Sequence, residues 1–91
     1  KKVLEVFTTN THQDLKSLKK AIDKKDYQTV RDLGHKMQTM FKQINAQTVV
    51  PLLHFMEHFK EDQAHQLSEN YHLLHKNIVI TFKAMDLHLK D

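Results

Sequence analysis

Apolar positions recur every three to four residues along most of the chain. That is the spacing of one face of an α-helix at about 100° of rotation per residue. Leu4, Phe7, Thr11, Leu15, Leu18 and Ile22 form a first stripe, with Val3 and Ala21 beside it, and predict a helix over residues 2–23. Thr8, Thr9, Asn10 and Thr11 are poor helix formers, but the stripe keeps its phase through them, so one unbroken helix is expected. Lys24 and Lys25 follow at the end where cations favour the helix dipole. Asp26, with Thr29 three residues on, is the expected N-cap of a second helix over 26–43. Its buried stripe is Val30, Leu33, Met37, Met40, Phe41 and Ile44. Asn45, Ala46 and Gln47 form a turn, and Thr48 caps a third helix over 48–60 with Pro51 in its first turn. Val49, Leu52, Leu53, Met56 and Phe59 are expected to face inward there, and His54, Glu57, His58 and Glu61 outward. The fourth helix is expected over 62–88, capped by Asp62 rather than Ser68 because Leu67 is already in register. Leu67, Tyr71, Leu74, Ile78, Phe82, Met85 and Leu89 make its stripe. Four amphipathic helices joined by short turns predict an all-α, antiparallel up-down-up-down four-helix bundle.

Composition sharpens this picture. One glycine and one proline in 91 residues leave long breaker-free stretches. That length suits a single domain, 1–91, with one core and no staples. The chain starts at Lys1 rather than Met, and we read it as a domain excised from a longer protein. The absence of cysteine excludes disulfides and thiol chemistry. The formal charge of +3 is scattered rather than clustered, which gives nucleic-acid binding no support. No run approaches the roughly 18 apolar residues of a membrane span. There is no phosphate-binding glycine loop and no nucleophile elbow, so no kinase or hydrolase machinery is expected.

Candidate chemistry centres on His35. By helical phasing it lies opposite the buried stripe of the second helix. Its neighbours are Arg31 at i−4, Gln38 at i+3, Thr39 at i+4 and Lys42 at i+7, with Asp32 the near acid. An imidazole held out on a rigid helix among cations and neutral donors suits the capture of a phosphoryl anion. Gly34, one residue before it, costs about 1 kcal/mol against alanine in a helix interior. Either a neighbouring helix packs closely there, or the gap admits a partner beside the histidine.

The run His35-Lys36-Met37-Gln38-Thr39, then Met40-Phe41-Lys42-Gln43-Ile44-Asn45-Ala46, and later Leu53 and Met56-Glu57, resembles the histidine-containing phosphotransfer (HPt) domain. That family's pattern is His-x-Leu-Lys-Gly, a Gly-Ala turn, and a helix carrying a leucine and a Leu-Glu pair. The chain departs from it at Gln38 (usually lysine), Thr39 (usually glycine) and Asn45 (usually glycine). The resemblance implies a phosphorelay intermediate, placed at the C-terminal end of a hybrid sensor kinase. His35 would be phosphorylated on Nε2 by a receiver-domain aspartate and would pass the group to another receiver. Hydrogen bonding would come from Gln38 or Thr39, and charge from Lys42, Lys36 or Arg31. Lys42 is favoured over Arg31 because helical side chains lean toward the N-terminus. No cofactor of its own is implied, the Mg²⁺ belonging to the receiver. The expected state is a monomeric domain in the cytoplasm, tethered or not to a membrane sensor.

Two other readings stay open. The departures at Gln38 and Thr39 allow a degenerate HPt domain that acts only as a helical adaptor. The His54/His58 pair at i, i+4, with His72/His75 at i, i+3, allows a metal-binding bundle. Because His54 and His58 phase outward while the inward positions are apolar, no metal site is expected and zinc should bind weakly if at all.

Overall fold

The computed structural model describes residues 2–87, with side chains from residue 5 onward. It forms an antiparallel four-helix bundle: α1 Lys2–Lys24, α2 Tyr27–Gln43, α3 Val50–His58 and α4 Leu67–Ala84, with a 3₁₀ segment, Glu61–Gln66, leading into α4. No strand occurs among the described residues. None of the helices among them is long and apolar enough to cross a membrane.

Helix α1 runs unbroken through the threonine patch. Thr8 and Thr11 are buried, and the Thr8 hydroxyl donates to the Glu5 carbonyl at 2.9 Å. Asp26 caps α2 as expected, accepting from the Thr29 N–H at 3.4 Å and the Thr29 hydroxyl at 2.7 Å. Three helices end in the same way. Lys25, Asn45 and Asp86 adopt φ of 59°, 56° and 59°. The next N–H in each case, from Asp26, Ala46 and Leu87, reaches back to Ala21, Phe41 and Phe82. These are Schellman closures, which satisfy carbonyls the helix would otherwise leave unpaired. Asn45 suits the left-handed conformation as the sequence suggests; Lys25 and Asp86 adopt it without glycine's freedom.

The core unites Leu15, Leu18, Val30, Met37, Phe41, Leu53, Met56, Leu74, Ile78 and Phe82. Phe7 joins Phe41 and Phe82, with ring centroids 5.4 Å from each, and ties α1, α2 and α4 together. Leu33, Met40, Ile44, Leu52 and Ile22 are half-buried flanks of their stripes rather than core. Val3, Leu4, His88 and Leu89 lie outside the residues whose side chains are described.

Three boundaries differ from expectation. Helix α3 is shorter than 48–60, and Thr48 does not cap it. The Ala46 carbonyl accepts from both Val49 and Val50, each at 3.0 Å, so the turn extends through Thr48 and Val49 occupies the cap position. Pro51 does fall in the first turn. Asp62 does not start α4. The Lys60 N–H donates to the Gln63 side chain at 3.0 Å, and the chain winds as a 3₁₀ segment until Leu67 enters the core. Finally, α4 stops at Ala84 rather than running to 88, because the closure at Asp86 turns Met85 out to 37% exposure.

Candidate functional site

Helix α2 packs most extensively on α3. Gly34 is the reason the two approach so closely. A Cβ there would lie 2.8 Å from the Glu57 backbone nitrogen and 3.0 Å from the Leu53 carbonyl oxygen. Close helix packing, not space for a partner, therefore explains the glycine.

That approach brings Glu57 across to His35. The expectation that Glu57 belongs to a solvated outer face is corrected here: it is half-buried, and its carboxylate is the hub of the site. Oε2 lies 2.6 Å from His35 Nδ1, and Oε1 accepts from Gln38 Nε2 at 2.6 Å. His58 Nε2 stands 3.4 Å from the same Oε1. Burial pushes the Glu57 carboxyl up, but the hydrogen bonds from His35 and Gln38 and the nearby His35 and His58 charges outweigh it, and the group sits below its ordinary value of 4.5. Glu57 is therefore an ionised acceptor at neutral pH. An acceptor-only carboxylate requires His35 Nδ1 to carry the proton. The Nε2 lone pair is then left free on a side chain that is 71% exposed.

A depressed carboxyl stabilises the fold above its unfolded value and loses that contribution as pH falls through its folded one. Glu57→Gln should thus lower stability at neutral pH, with the difference from wild type shrinking below about pH 4. Denaturant titrations across pH 3–7 measure this, and a pH-independent difference would contradict the assignment.

The other residues expected at the site divide into two groups. His35, Gln38, Thr39 and Lys42 share a shallow cleft of about 200 Å³ with His54, Glu57 and His58. Gln38, expected to donate a hydrogen bond to phosphate, is only 5% exposed and donates instead to Glu57. It shares with Gly34 the face that α3 covers. The Thr39 hydroxyl reaches back to the His35 carbonyl at 3.4 Å. Lys42 makes no ion pair among the described residues and remains in the cleft. Lys36 and Arg31 lie outside it. Lys36 Nζ bonds the buried Asp14 at 3.0 Å. The Arg31 guanidinium lies 4.5 Å above the Phe59 ring and donates to the Phe59 carbonyl at 3.2 Å, closing the C-terminal end of α3.

Sequence reasoning missed Asp14 and the role of Glu57, yet both left signals. Asp14 stands three residues from Thr11 and four from Leu18, on the edge of the α1 stripe, which predicts a buried acid in need of a cation. Glu57 is the acid of Met56-Glu57, and Gly34 marks where its helix approaches. His54 and His58 point outward as expected, with ring centroids 4.5 Å apart. Among the described residues no three His, Asp or Glu side chains gather to hold a metal ion.

No curated protein and no solved structure matches the chain. The family model of the Hpt domain matches residues 2–89, nearly the whole length. The all-helical bundle agrees with that match, and the chain belongs to the Hpt domain family.

Proposed function

We propose that the chain acts as a histidine phosphotransfer module of a phosphorelay, as its membership of the Hpt domain family implies, and works through the receiver domains of response regulators. We propose that His35 is the residue that carries the phosphoryl group here, taking it from the phospho-aspartate of one receiver and giving it to the aspartate of another. The observation that carries this reading is the 2.6 Å contact of His35 Nδ1 with Glu57, which leaves Nε2 as the exposed nucleophile.

The step is a displacement at phosphorus. The Nε2 lone pair forms the P–N bond as the P–O bond to the receiver's aspartate breaks, and that aspartate leaves as a carboxylate. The ring keeps its Nδ1 proton and becomes positively charged. Glu57 holds that proton and offsets the charge as it develops, as a carboxylate does for any catalytic imidazole. Such transition states are loose and highly charged, so positioning and electrostatics supply most of the acceleration. Mg²⁺ would stay with the receiver. The reverse displacement by a second receiver's aspartate releases the group, and no nucleotide site is required.

Of the cations expected to support phosphate, Lys42 is the one in the cleft without a competing partner. Its side chain leans toward His35 along the helix. Lys42→Ala should slow transfer or shorten the phosphohistidine lifetime several-fold and leave the fold intact, since exposed charges contribute under about 1 kcal/mol to stability. Rapid-quench transfer assays read this, and an unchanged rate would remove Lys42 from the site. Gln38→Lys has a less direct outcome than a simple gain of charge, because it also removes the donor that orients Glu57.

The test of the function is to mix the domain with phosphorylated receivers and measure acid-labile phosphate on it. No uptake from any receiver would replace this reading with that of a helical adaptor.

A further inference from the structure

Charge in the cleft does not balance once a phosphoryl group arrives. Glu57 contributes one negative charge and Lys42 one positive charge. Gln38 is neutral and bound to Glu57, while Lys36 and Arg31 are held elsewhere by Asp14 and Phe59. The phosphoryl dianion, less the single positive charge the His35 ring acquires, therefore adds net negative charge to a site whose fixed charges already cancel. The remaining titratable groups lining the cleft are His54 and His58.

We propose that His54 and His58 form a protonatable wall, contributed by α3, that takes up protons when His35 is phosphorylated and so makes the phosphohistidine more durable as pH falls. This rests on the phosphoacceptor role proposed for His35. Both imidazoles are exposed, and imidazole is the side chain whose charge changes between about pH 5 and 8. Their rings lie 4.5 Å apart, so two positive charges there repel each other in the resting protein. His58 Nε2 is 3.4 Å from Glu57 Oε1. A phosphoryl dianion in the same cleft offsets the repulsion and favours protons on both rings.

The other charged groups that face the pair come from α2 and α3. From α2 the cleft receives His35 and Lys42, and from α3 itself Glu57 as well as the two histidines. Arg31 faces Phe59, one residue beyond His58, and keeps its charge throughout. No described residue of the 3₁₀ segment or of α4 lines the cleft. The sign follows from linkage. A group whose pKa is raised in the phosphorylated form stabilises that form fully below its resting pKa. The benefit is lost as pH rises through the raised value.

Phosphoramidate, a small phosphoryl donor, loads histidine without a receiver and so separates this inference from the receiver assay. Histidine ring signals are followed by NMR across pH 5–9 before and after loading. The expected result is an upward shift of the His54 and His58 titrations on phosphorylation, the direction a nearby opposite charge produces. His72 and His75 on α4 serve as internal controls and should not move. The phosphohistidine half-life is then compared between wild type and the His54→Ala/His58→Ala double variant at each pH, which cancels the intrinsic acid lability of the P–N bond. The variant should be several-fold shorter-lived at pH 6.5 and equal to wild type at pH 8.5. His58→Lys should retain most of the lifetime and lose much of its pH dependence. Titrations that do not shift on loading, or a variant lifetime ratio that is the same at every pH, overturn the proposal. Failure of receivers to label His35 while phosphoramidate does so, with the titrations shifting, would overturn the receiver reading alone. Failure of phosphoramidate and of every receiver to label His35 would overturn both.

Discussion

Replacing His35 with glutamine is expected to abolish phosphoryl uptake while leaving the melting temperature nearly unchanged. The side chain is 71% exposed and contributes nothing to the hydrophobic core, so its loss should change stability by no more than about 0.5 kcal/mol. What it contributes is one lone pair. Glutamine is close in size and polar enough to meet Glu57, but its amide nitrogen is not a nucleophile. Gln38 continues to hold the other carboxylate oxygen, so the cleft should survive the change. Uptake is read as acid-labile phosphate after incubation with a phosphorylated receiver, and stability by thermal denaturation on the same samples. His72→Gln, on α4, should label like wild type. Retained labelling of the His35 variant would move the acceptor elsewhere and remove the central assignment.

Gly34→Ala is expected to lower both stability and transfer, the opposite of what helix propensity alone predicts. Alanine in a helix interior should gain about 1 kcal/mol over glycine. Here the new methyl would sit 2.8 Å from the Glu57 nitrogen and 3.1 Å from the Met56 carbonyl carbon, and both are backbone atoms that no rotamer change can move. Helix α3 must shift instead. Overpacking of this kind costs about 1–3 kcal/mol, which outweighs the propensity gain over most of that range. The shift also carries Glu57 away from His35, and their 2.6 Å contact has little slack. Loss of a carboxylate that orients a metal-binding histidine typically costs on the order of 10–100-fold, and a loss of that order is expected for His35. The variant should therefore transfer slowly even where it is fully folded, and Gly34→Val should be worse on both counts. Urea denaturation and transfer kinetics together decide it. A Gly34→Ala protein that is more stable than wild type and transfers normally would mean the helices have room to spare.

These two neighbours show different kinds of information in one stretch of chain. His35 was legible because exposure on a single helix follows from phase: the apolar stripe fixes which way the opposite residue points. Gly34 was legible only as a puzzle, since a glycine inside a helix reports that something comes near without saying what. The burial of Gln38 was not legible for a related reason. Its own helix places it off the main stripe, but α3 covers the face it shares with Gly34, and so it is buried against Glu57. Arg31 and Lys36 sit at reasonable helical distances from His35, yet long side chains go where their strongest partners are. Those partners, Phe59 and Asp14, lie on other helices.

The chain boundaries divide in the same manner. The Asp26 cap and the Asn45 turn involve residues within a few positions of each other, so local chemistry sufficed. The start of α4 did not follow from its candidate caps, Asp62 and Ser68, because Gln63 reaches back to Lys60 and a 3₁₀ segment delays the α-helix until Leu67. By itself the sequence determined the four helices, their buried stripes, the bundle and the solvent-facing histidine, because each depends on periodicity or on contacts a few residues apart. Only the tertiary structure gave the physical reason that Nε2 is the free nitrogen, because Glu57 stands 22 positions away in the chain and reaches His35 beside Gly34, where the backbones of α2 and α3 nearly touch.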